Sequence, residues 1–151
     1  MKRFLCTALC LVFLFIVARP PAASPTPPPP PPAEQSEIGI LSTKYLADWN
    51  CSLINNDDGT VTIKGYSQAN RIVDEIYVEI YLQKWNGSSW QTVSNGYRKT
   101  ANNNVYVSHS KNISVQTGVY YRTLSYHQII HNDIEYPKQP QKIVSDSCYI
   151  D

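Results

Sequence analysis

The amino-acid sequence predicts an all-β fold for the part of the chain that follows residue 37. Apolar and polar residues alternate with a period of two through most of this region, as they do on strands with one buried face. Short segments rich in Asn, Asp, Ser and Gly separate the alternating stretches and are typical of tight turns. The region has almost no helical, 3.6-residue apolar repeat. These observations favour an antiparallel sheet built from short strands.

The start of the chain has the features of a secretory signal peptide, which we assign to residues 1–24. Lys2 and Arg3 precede an uncharged, mostly apolar run over residues 4–18, and small residues follow it. The run is shorter than the ~20 residues that cross a bilayer. Prolines crowd the cleavage positions, so an uncleaved membrane anchor is the alternative. We expect a secreted or surface-exposed protein, with a membrane partner only if the leader is uncleaved.

A proline-rich linker follows over residues 25–37 and contains a run of six prolines. Such a segment adopts an extended polyproline II conformation and cannot build a hydrophobic core. We expect it to be disordered. It serves either as a semi-rigid spacer that holds the domain away from a surface or as a plain tether, and composition does not separate the two.

Residues 38–151 form one domain by size, and its strands follow in order. The first, KYLADWNCSLI, ends at the segment NNDDG. Asp58-Gly59 predicts a hairpin turn, because both residues tolerate positive φ. A calcium loop is the alternative, but the alternate-position ligands and the distal Glu are missing. Alternation places Tyr45, Ala47, Trp49, Cys51 and Leu53 together on one face of this strand.

The clearest strand is EIYVEIYLQKW, which follows the shorter alternating segment TVTIKGY. Four further segments alternate in the same way: WQTVSNGY, NVYVSHSKNISV, VYYRTLSYHQII and QKIVSDSCYI. About seven short strands joined by polar turns are typical of an antiparallel seven-stranded sandwich of the immunoglobulin or fibronectin type III kind. A small barrel is the alternative. The predicted core face of the clearest strand holds Ile76, Val78, Ile80 and Leu82.

Two cysteines, Cys51 and Cys148, lie near the two ends of the domain, whereas Cys6 and Cys10 belong to the leader. An even pair of cysteines in an exported chain favours a disulfide bond. Closing so long a loop would stabilise the fold by about 4–5 kcal/mol in the chain-entropy model. Two separate buried thiols are the alternative, because the sequence does not show proximity.

One part of the domain resembles a known family. The segments GTVTIKGYSQANRIVDEIYVEIYLQKWNGSSWQTV and GVYYRTLSYH resemble an uncharacterised family, a domain of unknown function, of small secreted Gram-positive bacterial β-sandwich proteins. The resemblance covers residues 45–151 and implies export and a β-sandwich, but no known activity or site residues. The proline-rich spacer is not a feature of that family and indicates presentation at a surface.

Charge and motifs argue against several functions. Residues 34–151 carry ten Lys or Arg and twelve Asp or Glu without a basic stripe, which disfavours nucleic acid as a partner. Ser108, His109 and Ser110 supply hydrolase residue types, but no nucleophile motif surrounds them. His127 and His131 are four apart on a predicted strand, which separates them by about 13 Å, too far for one metal ion. We therefore predict no enzyme, no metal and no cofactor.

The aromatic residues give the one candidate ligand-binding surface: Tyr77, Tyr81, Trp85 and Trp90. The first three share the water-facing side of one strand, and Trp90 joins them if the loop after Trp85 has two or four residues. We predict such an even loop. Exposed rings can stack on sugars or dock a protein. Their alternative role is to pair across strands and stabilise the sheet.

The function that the sequence favours is a secreted or surface-exposed binding or structural module, whose partner is unknown and could be a cell-surface glycan or a protein. A carbohydrate-binding module that uses the exposed aromatic residues is the second hypothesis. A small hydrolase or metal-dependent enzyme is the least supported hypothesis, because no site is visible in the sequence.

Overall fold

A computed structural model describes residues 28–31 and 44–151 of the chain. The predicted signal peptide, residues 1–24, lies outside the described residues, as does most of the predicted linker. Among the residues that are described, no helix has the length and apolar character that crossing a membrane requires.

The described part of the chain is all-β and forms one antiparallel sheet of seven strands, which confirms the predicted class and strand number. Strands β1, β2, β5 and β6 are neighbours in that order; β3 and β4 also pair with β2, and β7 pairs with β5. The strands are β1 (Leu46–Asn55), β2 (Thr60–Trp85), β3 (Trp90–Thr92), β4 (Tyr97–Ser114), β5 (Val119–His131), β6 (Ile134–Val144) and β7 (Cys148–Ile150).

The strand boundaries differ from the predicted ones even though the number agrees. TVTIKGY and EIYVEIYLQKW, predicted as separate strands, are the two halves of β2. An irregularity in pairing with β4, between Gln68 and Val73, marks the junction of the halves. The predicted last strand instead divides into the end of β6 and the short β7. One merger and one division leave seven strands.

The two halves of β2 approach each other closely at Gly65. A Cβ atom at this position would lie 2.7 Å from Cγ2 of Ile80 and 2.9 Å from Cγ2 of Val78, so only glycine fits without a shift of its neighbours. The hydroxyl of Thr123 on β5 also donates a hydrogen bond to the carbonyl of Ser52 on β1, at 2.9 Å. The sheet therefore bends back over itself and encloses a core.

The core confirms the inward face predicted for the second half of β2. Its buried apolar residues include Ile76, Val78, Ile80 and Leu82. The prediction for β1 was wrong at the start of the strand. Its pairing with β2 slips between Leu46 and Asp48, so that Leu46 is buried and Ala47 is exposed. A bulge reverses the alternation locally, which the periodicity alone does not show.

The turn between β1 and β2 is a hairpin, as predicted, and Gly59 takes positive φ, but the second positive φ falls on Asp57 rather than on Asp58. Asp57 and Gly59 have φ of 58° and 80°, whereas Asp58 does not take positive φ. The carboxylate of Asp58 instead accepts a hydrogen bond from the backbone N–H of Thr60 at 2.9 Å. The acidic side chain thus stabilises the turn.

The predicted disulfide bond between Cys51 and Cys148 is absent, because both residues are free thiols. Cys51 Sγ lies 3.7 Å from the carbonyl oxygens of Thr123 and Ile143, whereas Cys148 Sγ lies 3.5 Å from the carbonyl of Tyr149. Burial raises the pKa of the Cys51 thiol to about 11. Burial, and then the charges of Asp57 and Asp151, raise the pKa of Cys148. Both side chains are therefore protonated thiols at neutral pH.

Candidate functional site

The loop between the two tryptophans has the predicted even length. Trp85 and Trp90 are direct cross-strand partners, and residues 86–89 form a four-residue loop between them. The backbone N–H of Asn86 donates to the carbonyl of Ser89 at 3.1 Å, and Gly87 takes a φ of 99°. The two indole rings therefore lie on one face of the sheet, with centroids 5.4 Å apart and planes tilted by 56°.

Two of the four predicted binding residues are not part of an open aromatic surface. Tyr77 is only 3% exposed. Its hydroxyl donates to Oε1 of Gln128 at 2.9 Å, and the guanidinium of Arg98 lies 3.9 Å from its ring centroid. Tyr81 packs edge-on against Tyr126, with centroids 5.9 Å apart. Both rings therefore have the alternative role of pairing with neighbours across the sheet.

Trp85 and Trp90 instead belong to a row of rings that crosses the end of the sheet. Lys84 and Tyr121 are the last pair of the β2–β5 ladder, and Trp85 and Tyr120 are the residues that follow them at the same end of the two strands. Tyr120 pairs in turn with Tyr149 on β7, with ring centroids 5.0 Å apart. We call this row the aromatic strip; across the sheet it consists of Trp90, Trp85, Tyr120 and Tyr149, from four different strands.

Polar contacts fix one end of the aromatic strip. The guanidinium of Arg122 lies 4.3 Å from the ring centroid of Trp90, and its Nε donates to Oε1 of Gln83 at 2.8 Å. The amide of Gln83 donates in turn to Oγ1 of Thr92 at 3.2 Å. Arg122 is only 5% exposed, so its stacking on Trp90 is sheltered from water. The indole of Trp90 is thereby held before any ligand arrives.

Sequence reasoning missed Tyr120, Tyr149 and Arg122. They are separated from the tryptophans by 30 residues or more along the chain. Their proximity depends on the cross-strand register of β2, β5 and β7, which alternation within a single strand does not specify. The only available signal was the alternation along the predicted strand VYYRTLSYHQII, which places Tyr120 and Arg122 on the same face.

A second candidate is a cavity of about 500 Å³ near the paired parts of β1, β2 and β4. The rings of Tyr66 and Tyr106 line it and stack with centroids 6.0 Å apart and planes 27° from parallel. Tyr106 is 45% exposed, and the hydroxyl of Tyr66 donates to Asp48 at 2.9 Å. That bond is the largest reason why the pKa of Tyr66 is raised. Further lining residues include Asn50, Ser52, Ser108 and Ser110.

The cavity also has a basic side. Lys64, Lys99 and His109 contribute to its wall. Burial, followed by the charges of Lys99 and Lys111, lowers the pKa of His109. His109 is therefore neutral at pH 7 and offers the cavity one hydrogen-bond donor and one acceptor, while the lysines carry the positive charge.

His127 is at the centre of a buried hydrogen-bond chain. Its Nδ1 lies 2.8 Å from Oγ of Ser67, and its Nε2 lies 2.7 Å from Oγ of Ser125. Because Ser67 donates its own hydroxyl proton to the carbonyl of Tyr77 at 2.8 Å, it accepts from His127, which fixes the neutral Nδ1–H tautomer. Burial lowers the pKa of His127 to about 3.

The second histidine of the predicted spacing, His131, has different neighbours. Its Nδ1 lies 3.5 Å from Oδ1 of Asp74, and its ring packs edge-on against Tyr45 with centroids 5.0 Å apart. Within residues 28–31 and 44–151, no group of three or more His, Cys, Asp or Glu side chains is arranged to hold a metal ion.

No family model, curated protein or solved structure matches the chain. The resemblance to small secreted Gram-positive proteins therefore stays a prediction, and the function must be inferred from the geometry of the candidate sites.

Proposed function

We propose that the protein is a secreted or surface-exposed binding module with an immunoglobulin-like sandwich fold, and that the aromatic strip is its recognition surface. The bent antiparallel sheet and its enclosed core support the sandwich. The basic and apolar segments of residues 1–24 support export. The observation that carries the proposal is the row of four rings across four strands, anchored by Arg122.

Physical chemistry explains why such a row suits binding. Tyr and Trp rings present large flat apolar faces, and they lose little side-chain entropy when a partner covers them. The contacts of Arg122 and Gln83 hold the Trp90 end in place, which lowers the cost of ordering the site on binding. A rigid row on strands also presents its contacts with a fixed spacing, which favours an extended ligand.

The proposal is tested by Trp fluorescence of the full-length protein against a panel of insoluble and soluble polysaccharides and proline-rich peptides. We expect at least one probe to change the emission, and Trp90→Ala to abolish the response by removing one ring of the strip. Tyr106→Ala, on a different part of the protein, is the matched control and should retain it. Binding that survives in folded Trp90→Ala, or the absence of any response across the panel, would refute the proposal.

A second candidate function, carbohydrate binding, is favoured by the cavity lined by Tyr66 and Tyr106. A partly exposed tyrosine ring beside Asn, Ser and His side chains combines a stacking face with hydrogen-bond partners for sugar hydroxyls. We expect Tyr106→Ala to weaken glycan binding at least about tenfold, because stacking supplies most of the apolar contact. Trp90→Ala should leave that binding unchanged. Glycan binding that is lost in Trp90→Ala and kept in Tyr106→Ala would instead place the glycan on the aromatic strip.

The contacts of His127 argue against the hydrolase hypothesis. Ser67, His127 and Ser125 form a Ser-His-Ser chain, but all three side chains have 0% exposure. A nucleophile must reach its substrate, and a histidine with a pKa of about 3 is a weak base near neutral pH. The chain of hydrogen bonds is better explained as support for the core.

A further inference from the structure

One described part of the proline-rich segment touches the aromatic strip. The hydroxyl of Tyr120 donates a hydrogen bond to the carbonyl oxygen of Pro28 at 3.0 Å, across 92 positions of sequence. Pro31 is buried, whereas residues 28–30 are exposed. The segment is therefore in contact with the domain at the middle of the strip, whereas its composition alone predicts an extended spacer or a plain tether.

The spacing between the hydrogen-bonded carbonyl of Pro28 and the buried Pro31 fits a polyproline II helix. This helix has three residues per turn and a rise of about 3.1 Å, so residues 28 and 31 lie on the same side, about 9 Å apart. Its backbone makes no internal hydrogen bonds, which leaves every carbonyl available to a donor such as Tyr120. Proline has its φ already fixed, so docking costs less conformational entropy than for other residues.

The strip supplies the complementary surface. Aromatic-lined grooves are the recurring means by which proteins bind proline-rich helices, because the flat rings pack against pyrrolidine rings and a Tyr or Trp donor reaches a carbonyl. Tyr120 and Tyr149 are tilted by 56° to each other, so their faces are not coplanar. The hydroxyl groups of these two tyrosines and the two indole rings continue the aromatic surface along the strip.

We propose that the aromatic strip is a binding surface for polyproline II segments, and that residues 28–31 of the chain itself occupy it in cis. This inference rests on the proposed function and names the ligand class of the same surface. A proline-rich partner in trans must then displace the chain's own segment. A short tether gives that segment an effective concentration on the order of millimolar, so weak external ligands compete poorly.

The test uses the full-length protein and its three Trp indole N–H signals in ¹H–¹⁵N NMR spectra. In one variant, Gly and Ser replace prolines 27–32. We expect the signals of Trp85 and Trp90 to shift in this variant while that of Trp49, on β1, stays in place. A synthetic peptide of residues 25–37 should restore the original positions, and a peptide with Gly and Ser in place of its prolines should not. The wild-type chain, whose own segment occupies the strip, should bind the peptide at least about tenfold more weakly than the proline-replaced chain does.

Tyr120→Phe in the proline-replaced chain provides a conservative second variant. Loss of one hydrogen bond should weaken peptide binding by roughly 2- to 12-fold, whereas Tyr106→Phe should have no effect on that binding. Failure of the peptide to bind, or equal binding to Tyr120→Phe, overturns this inference. The inference is also overturned if the contact between the proline segment and the strip in the wild-type protein depends on protein concentration, because that contact would then join two copies of the chain. If another probe of the panel still binds the strip, the proposed function survives alone.

Discussion

At the scale of single residues, the fully buried side chain of His127 is held by hydrogen bonds at both ring nitrogens. Its two ring nitrogens have serine partners, and one of these, Ser67, links the first half of β2 to the carbonyl of Tyr77 in the second half. The imidazole also joins β5 to this contact. A buried polar chain is stabilising when every member is satisfied, and it specifies one arrangement of the strands. His127 therefore helps to fix how the bent sheet closes.

The pH dependence of stability follows from this burial. The pKa of His127 is about 3 in the folded protein, against 6.5 as its ordinary value. The unfolded chain thus binds a proton first as the pH falls below 6.5, and the stabilisation present above that pH is lost progressively towards pH 3. We expect the free energy of unfolding to fall by about 2–3 kcal/mol between pH 7 and pH 4.5 from this group.

Urea unfolding of wild type and His127→Gln at the two pH values measures this effect. The variant should be less stable at pH 7 by about 1–3 kcal/mol, because buried hydrogen bonds are lost. Its free energy of unfolding should fall much less between pH 7 and pH 4.5 than that of wild type, because glutamine does not titrate. A variant with the same acid-induced loss as wild type would show that other groups cause it.

The candidate site shows what a sequence reveals at residue scale. Trp85 and Trp90 were predicted correctly as neighbours on one face, because a short loop determines that relation locally. Tyr77 was predicted to face water, but it is only 3% exposed, because Arg98 and Gln128 cover it from adjacent strands. Which side chains of neighbouring strands cover a residue depends on the register between strands, and the alternation along one strand does not reveal it.

At the scale of elements, β2 organises the molecule because it pairs along one half with β1 and along the other with β5. Alternation predicted both halves but not their continuity. The segment between them, SQANRIVD, has no Gly or Pro and carries no strong turn signal. The bend arises from the pairing irregularity with β4 and from the absence of a side chain at Gly65.

Gly65 gives a direct test of this close contact. Gly65→Ala should destabilise the fold by about 1–3 kcal/mol, because the new methyl group meets the buried side chains of Ile80 and Val78. Gly96→Ala is the matched control. A Cβ atom there would lie 2.6 Å from Oε1 of Glu79, and 2.7 and 2.8 Å from the hydroxyl oxygen and Cζ of Tyr81, at the far ends of two partly exposed side chains.

Chemical denaturation of the two variants separates the explanations. We expect the cost at Gly96 to be below about 1 kcal/mol, because its neighbours can move aside. Equal costs at the two glycines would mean that a general effect of replacing glycine by alanine, rather than the contact between the halves of β2, determines the result.

At the scale of the whole molecule, the fold is closed by packing and hydrogen bonds between strands distant in sequence. β1 contacts β5 through Thr123 and Ser52, and Cys51 faces the same region through its contacts with Thr123 and Ile143. The sequence prediction used a disulfide bond to join the two ends of the domain. In the structure, the enclosed apolar core and the bent β2 perform that role without a covalent link.

Reduction should therefore leave the stability of the purified protein unchanged. A native disulfide bond of this kind typically contributes about 2–5 kcal/mol, which a reducing agent would remove. With free thiols we expect the free energy of unfolding with and without reductant to agree within about 0.5 kcal/mol.

Alkylation of the folded protein followed by peptide mapping by mass spectrometry provides the second measurement and distinguishes these cysteines from Cys6 and Cys10. Half-buried Cys148 should react first, and Cys51, whose pKa burial raises to about 11, should react only on unfolding. Recovery of Cys51 and Cys148 in one cross-linked peptide pair, with a stability that falls on reduction, would show instead that the two ends of the domain are covalently joined.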